Sequence, residues 1–154
     1  MHYHCEVWIP QRPKKLSELK VLINNIMSQY SYNNDDSCEE KFYDWYVIGG
    51  RWSGDHLPEH EFLSDYRNYT QCSCKDTSRS CGYCHGTGMK LKNSSFHKSD
   101  VMKLSKVRDD LTCCILIVDG IVYYDDDLKD TPVKKFLFDK GVTSGYLVIV
   151  DCHN

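Results

Sequence analysis

A chain of 154 residues with 41% hydrophobic and 27% charged side chains has the size of one ordinary domain and can bury a real core, which argues against disorder. No run approaches the roughly 18 apolar residues that span a bilayer, and the opening "MHYHCEVWIP" lacks the basic and apolar regions of a signal peptide. A membrane partner is therefore not expected, the expected location is the cytosol, and the formal charge of −3 argues against a protein that coats phosphate backbones nonspecifically.

"YHCEVWI" (3–9) alternates Tyr3, Cys5, Val7 and Ile9 against His4, Glu6 and Trp8, the pattern of a half-buried strand closed by Pro10 and Pro13. Residues 16–30 place Leu16, Leu19, Leu22 or Ile23, Ile26 and Tyr30 at helical spacing, which predicts an amphipathic helix. A polar loop precedes a second strand in "FYDWYVIGG", stopped by the glycine pair. Residues 53–98 hold no long apolar period, apart from a short helix near 59–66, and read as an insertion. Ser99, Val101, Leu104 and Val107 fit a short capped helix over 99–107.

In the last third, Asp119-Gly120 between two apolar runs predicts a two-residue hairpin, because both turn positions need positive φ. Thr131 as N-cap, Pro132 at the first helical position and Gly141 beyond the end frame another helix. "GYLVIVDCH" is a final strand. The order predicts an α+β fold: a two-layer sandwich with a mixed sheet, helices on one face, and a small zinc-clipped insertion at 70–90 within a single 154-residue domain.

Nine cysteines in a reducing compartment more often hold metal than disulfides. Cys72 and Cys74 form C-x-C, and after six intervening residues Cys81 and Cys84 form C-x-x-C, two close pairs that supply a tetrahedron of soft ligands for one structural Zn2+. Disulfide and redox uses are the alternatives; a redox C-x-x-C would need a helix directly after a strand, and the flanks here are polar loop. The other cysteines, Cys5, Cys38, Cys113, Cys114 and Cys152, read as small buried or loop residues. "CGYCHGTG" (81–88) resembles the C-x-x-C-x-G-x-G unit of DnaJ-type chaperones. That resemblance covers eight residues and implies the clip geometry, not a chaperone role.

Gly49, Gly50 and Arg51 can put backbone N–H groups and a guanidinium at one spot, which suits a carboxylate or phosphate. The alternative is a plain turn in which Trp45 and Trp52 pack the core and Arg51 pairs with Asp44. His2, His4, Glu6 and Trp8 share one face of the first strand, and Asp151 and His153 one face of the last. If these strands pair antiparallel, the histidines converge, and the cluster could bind a second metal or act as base and orienter; solvated surface groups are the alternative. His56 and His60 read as plain loop residues. Asp125, Asp126 and Asp127 form an acidic run, either a solvated loop or an interaction surface, as do Asp35, Asp36, Glu39 and Glu40.

"WYVIGGRWSG" and the closing "VDCH" resemble, in order along the chain, a group of uncharacterised bacteriophage proteins with W-Y-x-I-G-G-R-W-S-G and V-D-x-H strings. The resemblance implies a phage origin and brings no activity with it. From that origin the leading expectation is a phage accessory protein, in the host cytosol, that binds a host protein and inhibits a nuclease or other antiviral defence, as anti-CRISPR proteins do. The alternatives are a small enzyme or binder of a phosphorylated ligand or nucleotide using Arg51 and the His/Asp cluster, and a nucleic-acid-contacting zinc module using Lys75, Arg79, Lys90 and Lys92. No nucleophile elbow, recognisable carboxylate pair or open metal site is legible, so the balance leans away from an enzyme.

Overall fold

The computed structural model describes residues 1–34, 40–74, 84, 87–91 and 96–154, without the side chains of 59, 60, 62 and 91. The acidic residues 35, 36 and 39 and the cysteines at 38 and 81 lie outside this set. The strands are β1 (His2–Ile9), β2 (Trp45–Ile48), β3 (Tyr69–Gln71), β4 (Met89–Leu91), β5 (Val101–Lys103), β6 (Ile115–Val118), β7 (Ile121–Tyr124) and β8 (Tyr146–His153). The helices are α1 (Leu16–Met27), α2 (Glu59–Ser64), α3 (Asp125–Leu128) and α4 (Val133–Asp139).

Six strands form one mixed sheet in the order β2-β8-β1-β6-β7, with β5 also paired to β8. β1 and β6 are parallel, and every other pair in this sheet is antiparallel. β8 is the organising strand: β1 runs along its whole length, while β2 pairs with residues 150–153 and β5 with residues 146–148. The Gly49–Gly50 turn falls in the gap between those two short strands, and Gly49 N–H donates to the Ile149 carbonyl at 2.8 Å.

The α+β class and the mixed sheet are as the sequence predicts, with the helices divided between the two faces rather than gathered on one. Cys5, Val7 and Ile9 of β1 and Val148, Val150 and Cys152 of β8 pack with Leu19, Ile23 and Met27 of α1. Leu116, Val118 and Leu147 pack on the opposite face with Leu128, Val133 and Leu137 from α3 and α4. The alternation of strand side chains makes this unavoidable, since both parities of β6 and β8 are apolar and each needs a cover.

That division also explains why the helix expected over 99–107 is absent, while the acidic run at 125–127, expected as a loop or surface, opens the short helix α3. Val101 and Leu104 are spaced like helix neighbours, yet Val101 joins the α1-side core and Leu104 and Val107 the other. The segment therefore runs as a 3-10 turn at Lys98–Asp100, then β5, then a second 3-10 turn at Leu104–Lys106. The hairpin is as predicted, with Asp119 at φ 50° and Gly120 at φ 78°. The last helix begins one residue later than read, with Pro132 in the cap position.

Candidate functional site

The antiparallel pairing of β1 with β8 sets His2 opposite His153 and His4 opposite Asp151, and β2 extends the first row with Trp45 opposite His153. Directly opposed residues share a face, so Trp45, His153 and His2 form one row across three strands. His2 Nδ1 lies 2.8 Å from Asp151 Oδ1, and His153 Nδ1 lies 3.0 Å from Asp44 Oδ1. The Trp45 indole stacks on the His153 ring at 4.9 Å and 14°, and His2 meets both rings edge-on. Of the histidines expected to converge, His2 and His153 do so, with Trp45 added from β2 and Asp44 from the residue before it.

The second row opens into the interior. His4 and Glu6, the polar side of a strand expected to be half-buried, are themselves buried. Glu6 Oε1 is 2.8 Å from His4 Nε2, and Glu6 Oε2 is 2.9 Å from His56 Nε2. His56 is not a plain loop residue: it has no solvent exposure, and its Nδ1 sits 2.6 Å from the Ser99 carbonyl. A carbonyl and a carboxylate can only accept, so both ring nitrogens of His56 carry protons when Glu6 is ionised. Burial works to raise the Glu6 carboxyl, but the charge of His56 and hydrogen bonds from His4 and His56 overcome it and hold Glu6 at about 2. Burial works to lower His56, and the Glu6 charge and its hydrogen bond more than reverse that, so its titration moves up.

The glycine-arginine loop is folded around two carboxylates of the protein itself. Arg51 N–H donates to Asp151 Oδ2 at 3.0 Å. Asp100, fully buried, accepts from the Ser53 hydroxyl at 2.7 Å, from Gly54 N–H at 2.8 Å and from His97 N–H at 2.7 Å. Burial raises the Asp100 carboxyl, and these donors only partly offset it. Gly49 and Gly50 have φ of 82° and 62°, and a β-carbon would collide with Asp100 Oδ2 at the first and with the Asp151 side chain at the second. The anion that a Gly-Gly-Arg turn suits is here supplied internally. The Arg51 side chain is exposed and makes no ion pair among the described residues. The alternative of a plain turn fails in its details: Trp45 is 45% exposed and Asp44 pairs with His153, not with Arg51.

Trp52, the end of this loop, stacks on His4 at 5.4 Å and 22°. Beside them opens a polar cleft of about 550 Å³ lined by His4, Trp52, Asp55, Arg108, Asp125 and Asp126, among others. Burial raises the Asp55 carboxyl, and Arg108 Nε–H fixes that turn by donating to the Asp55 carbonyl at 2.6 Å. Cys113 and Cys114 reach the same cleft, and burial pushes both thiols up, Cys113 strongly, so neither is a ready nucleophile. Of the acidic run, Asp125 and Asp126 face the cleft, whereas Asp127 accepts the Tyr124 N–H at 3.0 Å and starts α3.

The cysteine clip stands apart, on the two-stranded sheet of β3 and β4. Cys72, Cys74 and Cys84 bring their sulfurs within 4.8 Å of one another, with Cys74 and Cys84 at 3.4 Å. Thiolates about 2.3 Å from a tetrahedral ion stand about 3.8 Å apart, so the three fit one metal ion. The hairpin holds them there: Cys72 N–H donates to the Gly88 carbonyl at 2.8 Å, and Thr87 N–H to the Cys84 carbonyl at 2.9 Å. The expected fourth ligand, Cys81, lies outside the described residues. No helix among the described residues is long and apolar enough to cross a membrane.

Sequence reasoning missed His56, Asp100, Asp44 and the exposed Trp45. His56 acts through Glu6, 50 residues away, Asp100 through Gly54, 46 away, Asp44 through His153, 109 away, and Trp45 through a strand register, and local pattern carries none of these. The chain matches no protein-family model, no curated protein and no solved structure.

Proposed function

We propose that this is a metal-clipped binding protein that docks on another protein through the end of the sheet where Trp45 and His153 are displayed, with the exposed Arg51 as a second candidate contact. One observation carries the reading: Trp45 is a large aromatic left 45% exposed, yet its ring is held by stacking on His153, whose own orientation is fixed by Asp44. An exposed tryptophan on a preorganised support has the composition of a binding hot spot and avoids the entropy of ordering a loose side chain. The buried Glu6–His56 pair and the carboxylate-filled loop are the support.

The clip metal is zinc in this reading, bound by Cys72, Cys74 and Cys84 with Cys81 as fourth ligand. The likeness of the "WYVIGGRWSG" and "VDCH" strings to bacteriophage proteins supports a phage origin, and with it a partner in the host cytosol, such as a nuclease or other antiviral protein that the docking inhibits. The test is purification of the tagged protein from infected host cells, followed by reconstitution with the purified partner. The expected result is a stoichiometric complex that weakens at least tenfold in Trp45→Ala. A wild-type protein that retains no partner, or a complex indifferent to Trp45→Ala and Arg51→Ala, overturns the reading.

A second reading, a binder or small enzyme acting on a phosphorylated ligand, is favoured by His4 on the wall of the 550 Å³ cleft beside Arg108. Asp55, Asp125 and Asp126 on the same walls oppose a phosphate there, which places this reading second. The third expectation, a nucleic-acid contact around the clip, turns on Lys75, Arg79 and Lys92, which lie outside the described residues, and on Lys90 of β4.

A further inference from the structure

We propose that His2 and His153 form a second metal site, distinct from the cysteine clip, that takes one transition-metal ion such as Zn2+ through the two Nε2 atoms. The inference goes beyond the docking reading and does not depend on it. Three observations meet at this pair. First, both Nδ1 atoms are engaged by carboxylates, His2 with Asp151 at 2.8 Å and His153 with Asp44 at 3.0 Å. A carboxylate on one ring nitrogen fixes the tautomer, raises the basicity of the other nitrogen and aims the ring, which is the arrangement that accompanies most metal-binding imidazoles.

Second, the ring separation fits a shared ion. Two imidazoles bound at about 2.1 Å with a tetrahedral angle between them hold their ring centres about 5.2 Å apart. The His2 and His153 centres are 5.0 Å apart with planes at 75°. Third, the site is open and electronegative. The His side chains are 20% and 31% exposed, and no hydrogen bond to either Nε2 occurs among the described residues. The two supporting carboxylates give the pair a local charge that attracts a cation and repels a free anion.

Register produces this geometry. His2 and His153 are directly opposed on β1 and β8, and Trp45 on β2 backs the pair from the sheet edge. Asp151 is itself pinned by the Arg51 N–H, so the glycine turn at 49–50 indirectly aims His2. Imidazole donors suit Zn2+, Ni2+ and Cu2+ over Mg2+ and Ca2+. Two protein ligands leave two tetrahedral positions for water or for a donor atom of a bound molecule, unlike a four-thiolate clip, which is closed.

The experiment starts from full-length protein whose cysteine clip is already loaded with zinc, titrated with further Zn2+ and followed by native mass spectrometry and by NMR of the imidazole nitrogens. The expected result is one additional equivalent, with the His2 and His153 Nε2 resonances shifting together and the buried His56 unchanged. His153→Ala should weaken the second equivalent at least tenfold, and Asp44→Asn, an exposed change that spares both ligands, by about 10- to 100-fold. The wild-type NMR titration needs no variant, so a misfolded substitution leaves the proposal testable. Absence of a second equivalent, or a second equivalent that leaves the His2 and His153 resonances in place, overturns it.

Discussion

Glu6 and His56 meet 2.9 Å apart with neither side chain exposed to solvent. Fifty residues separate them, one on the central strand and one in the turn that follows the glycine-arginine loop. Their pairing locks that loop onto the sheet, because Arg108 N–H also grips the His56 carbonyl at 2.9 Å. A buried ion pair of this kind adds modestly to stability when intact and costs heavily when one partner is removed.

The pair predicts a bell-shaped stability profile. Glu6 is held at about 2 in the fold, below its ordinary value of 4.5, so its contribution is present above about pH 4.5 and is lost as pH falls towards 2. That shift corresponds to a loss on the order of 3 kcal/mol. The His56 titration is raised above 6.5, so its contribution is complete below pH 6.5 and disappears as pH rises through the folded value. Chemical denaturation between pH 2 and 9 should show both limbs. Glu6→Gln, which leaves His56 without its counter-charge, should lose the acid limb and cost about 3–5 kcal/mol at neutral pH.

What the sequence discloses of this molecule follows from which signals are local. The alternation in "YHCEVWI", the helical period of 16–30 and the Asp119-Gly120 turn each name an element, because side-chain period and positive φ are properties of a few adjacent residues. The face to which His4 and Glu6 belong is equally legible, but its burial is not. The covering atoms come from Trp52 and His56, across a strand and a loop. The convergence of His2 with Asp151 was conditional on one pairing, β1 with β8, and follows once that pairing exists. Asp100 was invisible for a different reason: a carboxylate that accepts three donors from residues 53, 54 and 97 looks in sequence like any polar loop residue.

Metal removal should act locally. The β3–β4 hairpin belongs to its own two-stranded sheet, while the six-stranded sheet is held by two apolar cores that contain no clip residue. A chelator, or Cys84→Ser, should therefore expose residues 69–91 to protease and speed their amide exchange while the slow-exchanging core of β1 and β8 persists. Native mass spectrometry should record the loss of one ion from the clip in step with that exposure. Global unfolding on chelation would show instead that the clip holds the main sheet together.

Two glycines offer an internal comparison for the turn that shapes the site. Gly50 and Gly120 both have positive φ, at 62° and 78°, but a β-carbon at Gly120 meets nothing within 4 Å. One at Gly50 would strike the side chain of Asp151, which is tied to His2 and to the Arg51 N–H. Gly120→Ala should therefore cost only the left-handed strain, about 1–2 kcal/mol. Gly50→Ala adds an overpacking cost of about 1–3 kcal/mol. In a domain of this size, each 1 kcal/mol lowers Tm by roughly 2–4 °C, so thermal melts separate the two variants. Equal losses would mean that Asp151 swings aside freely. In that case His2 would lose its fixed orientation in Gly50→Ala, and its imidazole NMR resonances would shift in that variant. They should stay in place in Gly120→Ala, because Gly120 lies in the β6–β7 hairpin and not beside Asp151.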